Sequence, residues 1–204
     1  MSVRIIGKSQ SEVDVLLGSM KMVRYKPKDN TDPVRYTYDA ATPAFLPDSS
    51  PRDIVVIRGS SSKIIKITRI RLTTTQNSNG LNSWYLLKRN TPNELGSGDF
   101  VYVNPIPRVL DGSQPGATAT FGYFTDNPAR DGRLVGLIRS VKLRSPSLSS
   151  LLPISETNVI WDCDDYQSSP LILRGPYESI ALNFNGASRP AGISVQSHFT
   201  WIEE

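Results

Sequence analysis

The amino-acid sequence predicts an all-β protein: a jelly-roll-like β-sandwich with an extended N-terminal arm. Three observations lead to this prediction. After residue 52, short runs of sheet-forming residues follow one another at near-regular spacing. Clusters of Gly, Pro, Asn, Asp and Ser, which are typical of turns, separate these runs. No stretch keeps a helical period for longer than a turn or two, and the best helical candidate, residues 11–22, is interrupted by Gly18.

Residues 1–52 form the predicted arm because they lack a sustained hydrophobic period. The segment 25–53 contains five prolines and many small polar residues, with only isolated apolar side chains between them. Such a segment cannot build a hydrophobic core of its own. We therefore expect it to lie extended on its own domain or on neighbouring chains, the second being favoured, and we expect residues 53–204 to form the sandwich.

The run "KIIKITRIRLTTT" (63–75) is a predicted strand whose alternation changes phase. Apolar residues occupy every second position up to Ile67 and resume one position late, at Ile70. Such a slip predicts a β-bulge, here near Thr68 and Arg69. A polar Asn-Gly turn follows and leads into a further strand, so the two runs predict a long hairpin.

Arginines lie on the polar face of this hairpin. Arg69 and Arg71 alternate with Ile70 and Leu72, so one face is predicted to enter the core and the other to point outward. The arginines lack the carboxylate, histidine or glycine partners that catalysis or phosphate binding would need. The sequence therefore predicts a solvated or subunit-facing sheet.

The other predicted strands are short β-rich runs between turn clusters. The run 53–59 is apolar and ends at a glycine, 83–89 follows the Asn-Gly turn, and 99–110 alternates until prolines interrupt it. The later strands are predicted at 117–125, 133–144, 158–162, 171–175, 179–185 and 192–204.

Charge and cysteine content exclude several classes of protein. Residues 1–75 carry thirteen Lys and Arg against seven Asp and Glu, net +6, and the remainder carries ten against twelve, net −2. This excess is too dispersed to predict a nucleic-acid footprint. The single cysteine excludes an internal disulfide. No apolar run approaches the roughly 20 residues of a membrane span, and the N-terminus does not resemble a secretion signal, so we expect assembly in a cytoplasm.

Residues that could carry out catalysis are sparse, and we expect no enzyme, no metal and no cofactor. The only histidine, His198, lies in a predicted strand, and no GxSxG motif supplies a nucleophile for it. The one carboxylate cluster, Asp162, Asp164 and Asp165, lacks the glycine and terminal glutamate of a calcium loop. These acids are expected to raise the pKa of Cys163, which argues against a reactive thiol.

Several motifs resemble those of structural proteins from tailed-phage virions. They are the hairpin "KIIKITRIRLTTTQNSNGLNSWYLLKRN", the loop "YVNPIPRVLDG", the segment "ATATFGYFTDNPARDGRLVGLIRS", the hairpin "PLILRGPYESIALNFNG" and the closing "VQSHFTWIEE". The resemblance covers residues 55–204 and is structural in kind. It identifies the chain as similar to jelly-roll virion proteins of the capsid decoration, or cement, type.

The resemblance implies a non-enzymatic role on the outer surface of a capsid. Cement proteins self-associate, often as homotrimers, and use an extended arm to bind the major capsid protein and stabilise the head. Strand addition and repeated weak contacts would give such an arm its avidity. The expected arm contacts are Arg24, Tyr25, Lys26, Arg35, Tyr36, Tyr38, Phe45 and Leu46.

Two alternatives remain open from the sequence. A tail- or baseplate-associated β-sandwich could bind host glycans if two of Trp84, Trp161 and Trp201 were exposed as a stacking platform. A virion protein that binds nucleic acid would show a steep salt dependence of its affinity for DNA. The resemblance does not separate capsid from tail.

Overall fold

The chain divides into two units, residues Met1–Val34 and Arg35–Glu204. The computed structural model describes residues 13–15, 23–25, 35–47, 52–76, 80–94, 100–108, 114–125, 128, 130–145, 157–163, 169–185 and 192–204. In the first unit, β1 (Val13–Val15) pairs with β2 (Val23–Tyr25) in an antiparallel two-stranded sheet. Only the backbone of these two strands is described.

The described part of the second unit consists of strands and the loops between them. The strands are β3 (Tyr36–Ala41), β4 (Asp53–Arg58), β5 (Ile65–Thr75), β6 (Gly80–Arg89), β7 (Phe100–Tyr102), β8 (Ile106–Pro107), β9 (Thr120–Phe124), β10 (Leu134–Ser145), β11 (Thr157–Asp162), β12 (Leu171–Leu173), β13 (Ser179–Asn183) and β14 (Ser194–Glu203). None of the described segments forms a helix of the length and hydropathy that a membrane span requires.

The strands form two antiparallel sheets with the connectivity of a jelly roll. The first sheet has the order β11-β5-β14-β3-β8, and the second has the order β10-β6-β13-β4-β9-β7. Without the insertions β7, β8, β9 and β12, eight described strands of the sandwich remain, and we count them from β3 (first) to β14 (eighth). The first, eighth, third and sixth of these strands lie side by side in the first sheet. The second, seventh, fourth and fifth lie side by side in the second. The predicted fold class is therefore confirmed.

The predicted bulge lies in β5, at Thr68. In the register with β14, Thr200 pairs with Arg69 and the next residue, Trp201, pairs with Ile67, so Thr68 is the extra residue. The Thr68 hydroxyl donates a hydrogen bond to the carbonyl of Thr200 over 3.3 Å. Beyond the bulge, apolar residues of β5 again enter the core at every second position.

Aromatic and branched aliphatic side chains from both sheets form one core between them. Phe121 of the second sheet packs on Phe199 of the first, with ring centroids 5.0 Å apart. Every residue of β4 except its last is buried, because this strand is central in its sheet. Val55 and Ile57 belong to the main core, and Val56, on the opposite face, clusters with Phe100, Phe124 and Ala181. The core is thus closed by cross-sheet contacts that no local segment could provide alone.

The boundary between arm and sandwich lies earlier than the predicted position at residues 52 and 53. Strand β3 pairs along its whole length with β14, from Tyr36 opposite Glu203 to Ala41 opposite His198. Phe45 adds an isolated bridge to Val195. Residues from Arg35 onward therefore belong to the sandwich unit, and its first jelly-roll strand comes from the predicted arm. The alternating pattern of this short strand was not recognised in the sequence because prolines lie on both sides of it.

Candidate functional site

Two predicted arm contacts, Tyr38 and Phe45, are core residues of the sandwich. Tyr38 is 1 % exposed, its ring stacks on Trp201 at 5.9 Å, and its hydroxyl donates to the carbonyl of Pro115 over 2.7 Å. Phe45 is 8 % exposed and its ring packs on Tyr123 at 4.2 Å. Neither side chain is available to a partner while the sandwich is folded, so their assignment as anchors is wrong.

The other predicted arm contacts have varied surroundings. Arg35 pairs with Glu204 over 2.8 Å while 60 % of its own side chain stays exposed, and Lys66 shares the same carboxylate. Tyr36 is partly buried at the edge of the core, and Leu46 is 61 % exposed. Leu46 is therefore one of the predicted contacts that remains accessible on the sandwich.

Three of the predicted contacts belong to the first unit. Arg24 and Tyr25 lie in β2, where the backbone register sets Arg24 opposite Asp14 and Tyr25 opposite Val13. Lys26 lies outside the described residues. Basic and acidic positions thus face each other in this small sheet, which is the pairing that cross-strand electrostatics favours.

The predicted long hairpin is wrong, because β5 pairs within the first sheet and β6 pairs within the second. The basic residues of these two strands divide into partly exposed and buried groups. Arg69 pairs with Asp162 of the neighbouring strand over 2.7 Å. Lys88 contacts Glu178 over 3.1 Å and donates to the carbonyl of Ile172 over 3.0 Å. Both ion pairs are partly exposed, and the pair with Asp162 gives Arg69 a carboxylate partner that was not expected from the sequence. Each is worth at most about 1 kcal/mol.

Arg89 is instead buried, which sequence reasoning missed. Its guanidinium donates to both carboxylate oxygens of Asp53, over 2.8 Å and 2.7 Å, and to the carbonyl of Gly132 over 2.9 Å. Asn93 and Asn183 donate to the same carboxylate over 3.1 Å and 3.2 Å. Such a fully hydrogen-bonded pair fixes the ends of β4, β6 and β13 relative to one another.

Asp131 lies at the rim of this buried network. Its carboxylate accepts the backbone N–H of Asp53 over 3.2 Å and lies 3.4 Å from an Arg89 nitrogen. Burial raises the pKa of Asp131, the Asp53 carboxylate raises it further, and the Asp53 N–H and Arg89 oppose that shift. The buried network could have been anticipated from Asp53, which begins an apolar strand. A carboxylate beside buried residues needs a positively charged or hydrogen-bonding partner.

His198 lies on the polar outer face of the first sheet. It is opposite Arg71 in β5 and Ala41 in β3, and its Nε2 is 3.7 Å from an oxygen of Asp39. Burial lowers the pKa of His198, Asp39 opposes that shift, and the arginines around it lower the pKa further. A depression of about 240 Å³ beside it is lined by Ala41, Arg71, Thr73, Thr157, Gln196, Ser197 and His198.

Residues suited to acyl transfer do not converge on His198. The neighbouring Ser197 points to the opposite, buried face, where its hydroxyl lies 3.5 Å from that of Thr42. Within the depression, the hydroxyls of Thr73 and Thr157 hydrogen-bond each other over 3.0 Å. The depression therefore offers polar contacts and one cationic side chain, Arg71, without an aligned nucleophile and base.

The acidic cluster is only partly described. Asp162 pairs with Arg69, while Asp164 and Asp165 lie outside the described residues. Cys163 is partly buried, and its backbone N–H donates to the carbonyl of Thr68 over 2.9 Å. The described part of the chain contains no group of three or more His, Cys, Asp and Glu residues arranged to hold a metal ion.

The tryptophans do not form the stacking platform that the glycan alternative requires. Trp84 and Trp201 are both 0 % exposed within the core, where Trp84 packs on Phe184 at 4.1 Å. The indole N–H of Trp201 donates to Glu203 over 3.0 Å. Only Trp161 is even partly exposed, so no pair of tryptophans can stack on a sugar.

Strand β10 presents the most apolar exposed edge among the described strands. It is one of the two edge strands of the second sheet, and β6 is its only partner among the described residues. Leu134, Val135 and Leu137 are 52 %, 55 % and 52 % exposed. Its charged residues are Arg139, Lys142 and Arg144, all exposed, and it contains no acid. Long edges with exposed apolar residues are prone to pair with other chains.

The comparisons with known proteins yielded no relative. No protein-family model matches the chain, and neither the curated proteins nor the solved structures contain a match.

Proposed function

We propose that the protein is a structural virion protein that decorates the outer surface of a capsid, binds the lattice of major capsid protein and stabilises the head. The observation that carries the proposal is the division of the chain at Val34 into a jelly-roll sandwich and a separate amino-terminal unit. A compact module joined to a second contacting segment can tie neighbouring capsomers together. In this proposal the sandwich self-associates as a homotrimer.

The resemblance of residues 55–204 to phage virion proteins supports this function. Jelly rolls are frequent in viral capsid proteins, although the fold also carries lectins and enzymes and so does not decide the function. The polar clusters of the described sandwich mainly connect strands: Arg89 holds Asp53, and Arg69 holds Asp162. Side chains committed to structural pairs favour a scaffold over a catalyst.

The revised boundary transfers the arm role to residues 1–34. This segment contains the basic run "KMVRYKPK" (21–28), which has four Lys and Arg and no acid. Such a run would complement an acidic capsid surface. Of the contacts first expected, Arg24, Tyr25 and Lys26 remain in the arm, while Leu46 and Arg35 would contribute from the sandwich itself.

A truncation tests the proposal directly. Full-length protein and a variant beginning at Arg35 are titrated onto purified capsids of the parent virus, and binding is measured by co-sedimentation. We expect the full-length chain to saturate the shell in many copies and the variant to bind about tenfold or more weakly, since avidity needs both segments. Coincident thermal unfolding of the sandwich in both proteins is the control.

Three results would contradict the proposal. The first is that the full-length chain does not bind capsids, and the second is that both proteins bind with equal affinity. The third is a quantitative count that finds only a few copies at one vertex of the particle, which would place the protein in the tail. Light scattering of the purified protein tests the homotrimer separately.

A further inference from the structure

The outer edge of β10 has the features of an acceptor for another strand. We propose that it binds an extended acidic segment of a partner protein by β-strand addition. The inference rests on β10 itself and does not depend on the proposed virion role. Main-chain hydrogen bonds would supply affinity at such an edge, and the side chains of alternate residues would supply specificity.

One half of β10 is a regular template for strand addition. From Arg139 to Ser145, each residue pairs in unbroken register with β6, from Leu86 back to Gly80. A regular strand exposes evenly alternating backbone donors and acceptors along its free edge. None of the other described strands pairs with this edge, so none of them occupies the ladder that a partner strand would use.

The positive charges on residues 139–145 of β10 favour a partner strand that carries acidic residues. Lys142 and Arg144 are two residues apart on one face, both are exposed, and neither forms an ion pair with any described residue. Arg139 is engaged differently, because it donates to the carbonyl of Ile160 over 2.9 Å. A partner strand with acidic residues at alternate positions would place a carboxylate opposite each free cation.

The other half of β10 adds apolar contacts. Its register with β6 shifts twice, between Leu134 and Gly136 and between Leu137 and Arg139. The exposed leucines and Val135 lie in this bulged half, where continuous pairing is interrupted. The partner segment is therefore expected to be acidic at one end and apolar at the other.

Electrostatic repulsion opposes the binding of a second copy of β10 to the outer edge of this strand. The strand carries three cations and no anion, so self-pairing would bring like charges together in either direction. Cations on an edge strand are one way in which proteins prevent such self-association. The same cations attract an acidic strand, which makes the edge selective.

The test uses the full-length protein and short fluorescein-labelled peptides. The probe alternates Val and Glu, a matched peptide alternates Val and Lys, and a third acidic peptide carries N-methyl groups that prevent strand pairing. Affinity is measured by fluorescence anisotropy, and amide hydrogen exchange follows residues 139–145. We expect the unmodified acidic peptide alone to bind well and to slow exchange in β10.

Two variants decide whether β10 is the site. Lys142→Glu/Arg144→Glu should weaken acidic-peptide binding about tenfold and improve binding of the basic peptide, since two exposed attractive pairs become repulsive. The matched control, Lys63→Glu/Arg174→Glu, changes the same charge elsewhere and should leave the affinity unchanged. Equal effects of both variants, or equal binding of all three peptides, would overturn the inference. So would a dimer in sedimentation that the β10 variant dissociates, which would identify a second copy as the occupant.

Discussion

At the scale of single residues, buried ion pairs matter more than the many exposed ones. The Asp53 side chain is 0 % exposed and that of Arg89 is 8 % exposed, and the two share two hydrogen bonds. Removing one partner of such a pair leaves an uncompensated charge in a medium of low polarity. The surface pair of Arg130 with Glu94 is separated by 3.8 Å, and both of its side chains are mostly exposed.

We expect Arg89→Leu to lower the free energy of unfolding by about 3–5 kcal/mol, because Asp53 would lose its counter-charge. Arg130→Leu is the matched control and should change it by less than about 1 kcal/mol. Urea unfolding followed by tryptophan fluorescence measures both variants. Similar values for the two variants would show that the buried pair does not stabilise the sandwich more than a surface pair does.

A second prediction concerns the charge state of His198, the only histidine in the chain. Burial lowers its pKa, Asp39 opposes the shift, and Arg71, Arg108 and Arg69 add to it. Arg71→Gln should therefore raise this pKa and Asp39→Asn should lower it. Titration of the single Hε1 resonance by NMR reads the pKa without ambiguity of assignment.

The sign of the linked stability effect follows from the same shift. A histidine whose folded pKa lies below its unfolded value prefers to be neutral in the folded state. Its contribution to stability is present above the unfolded value and is lost as the pH falls through the two pKa values. Arg71→Gln should reduce that loss. A pKa of His198 that does not move in either variant would show that the groups facing it do not act on it electrostatically.

At the scale of elements, β5 shows how one extra residue is accommodated. Its apolar residues enter the core on both sides of the bulge because Thr68 is left over in the register with β14. Thr68 also accepts the backbone N–H of Cys163. The bulge therefore ties β5 to its neighbours while keeping both of its halves in phase with the core.

Deletion of Thr68 should be tolerated, because Ile67 and Ile70 would then follow normal alternation on the same face. We expect a loss of about 1–3 kcal/mol, the scale of the hydrogen bonds that are removed. Deletion of Arg71 in the same strand is the comparison, since it would turn one half of β5 inside out and should prevent folding. Circular dichroism melting of both variants distinguishes the outcomes. A folded protein after loss of Arg71, or an unfolded one after loss of Thr68, would contradict this account of the register.

At the scale of the whole molecule, the first strand of the jelly roll decides where the sandwich begins. Strand β3 lies beside β14 and covers Trp201 through Tyr38. A variant that begins at Arg35 keeps this strand, and a variant that begins at Asp53 loses it. The loss would expose one edge of β14 and part of the aromatic core to water.

We expect the variant that begins at Arg35 to fold cooperatively and the variant that begins at Asp53 to be insoluble or unfolded. Removal of Tyr38 alone amounts to an aromatic truncation in the core, worth about 3–5 kcal/mol, and the deletion also removes a ladder of backbone hydrogen bonds. Expression, solubility and thermal unfolding of the two variants are the measurements. Equal stability of these two variants would support the originally predicted boundary between arm and sandwich, at residues 52 and 53.

The sequence by itself determined the fold class, because alternation and turn chemistry are local properties that survive in any tertiary context. It also predicted the bulge near Thr68 and Arg69, since a phase slip in an apolar pattern can be detected without a partner strand. It could not locate β3, whose short period is framed by prolines and whose pairing partner lies more than a hundred residues away.

Tertiary structure decided which polar residues are buried and which apolar residues are exposed. Arg89 and Lys88 are adjacent and chemically similar, yet Arg89 is buried against Asp53 while Lys88 stays partly exposed beside Glu178, because neighbouring residues of a strand point to opposite faces. The apolar residues Leu134, Val135 and Leu137 of β10 lie exposed in a strand at a sheet edge. Position in a sheet depends on long-range pairing, which no local pattern encodes.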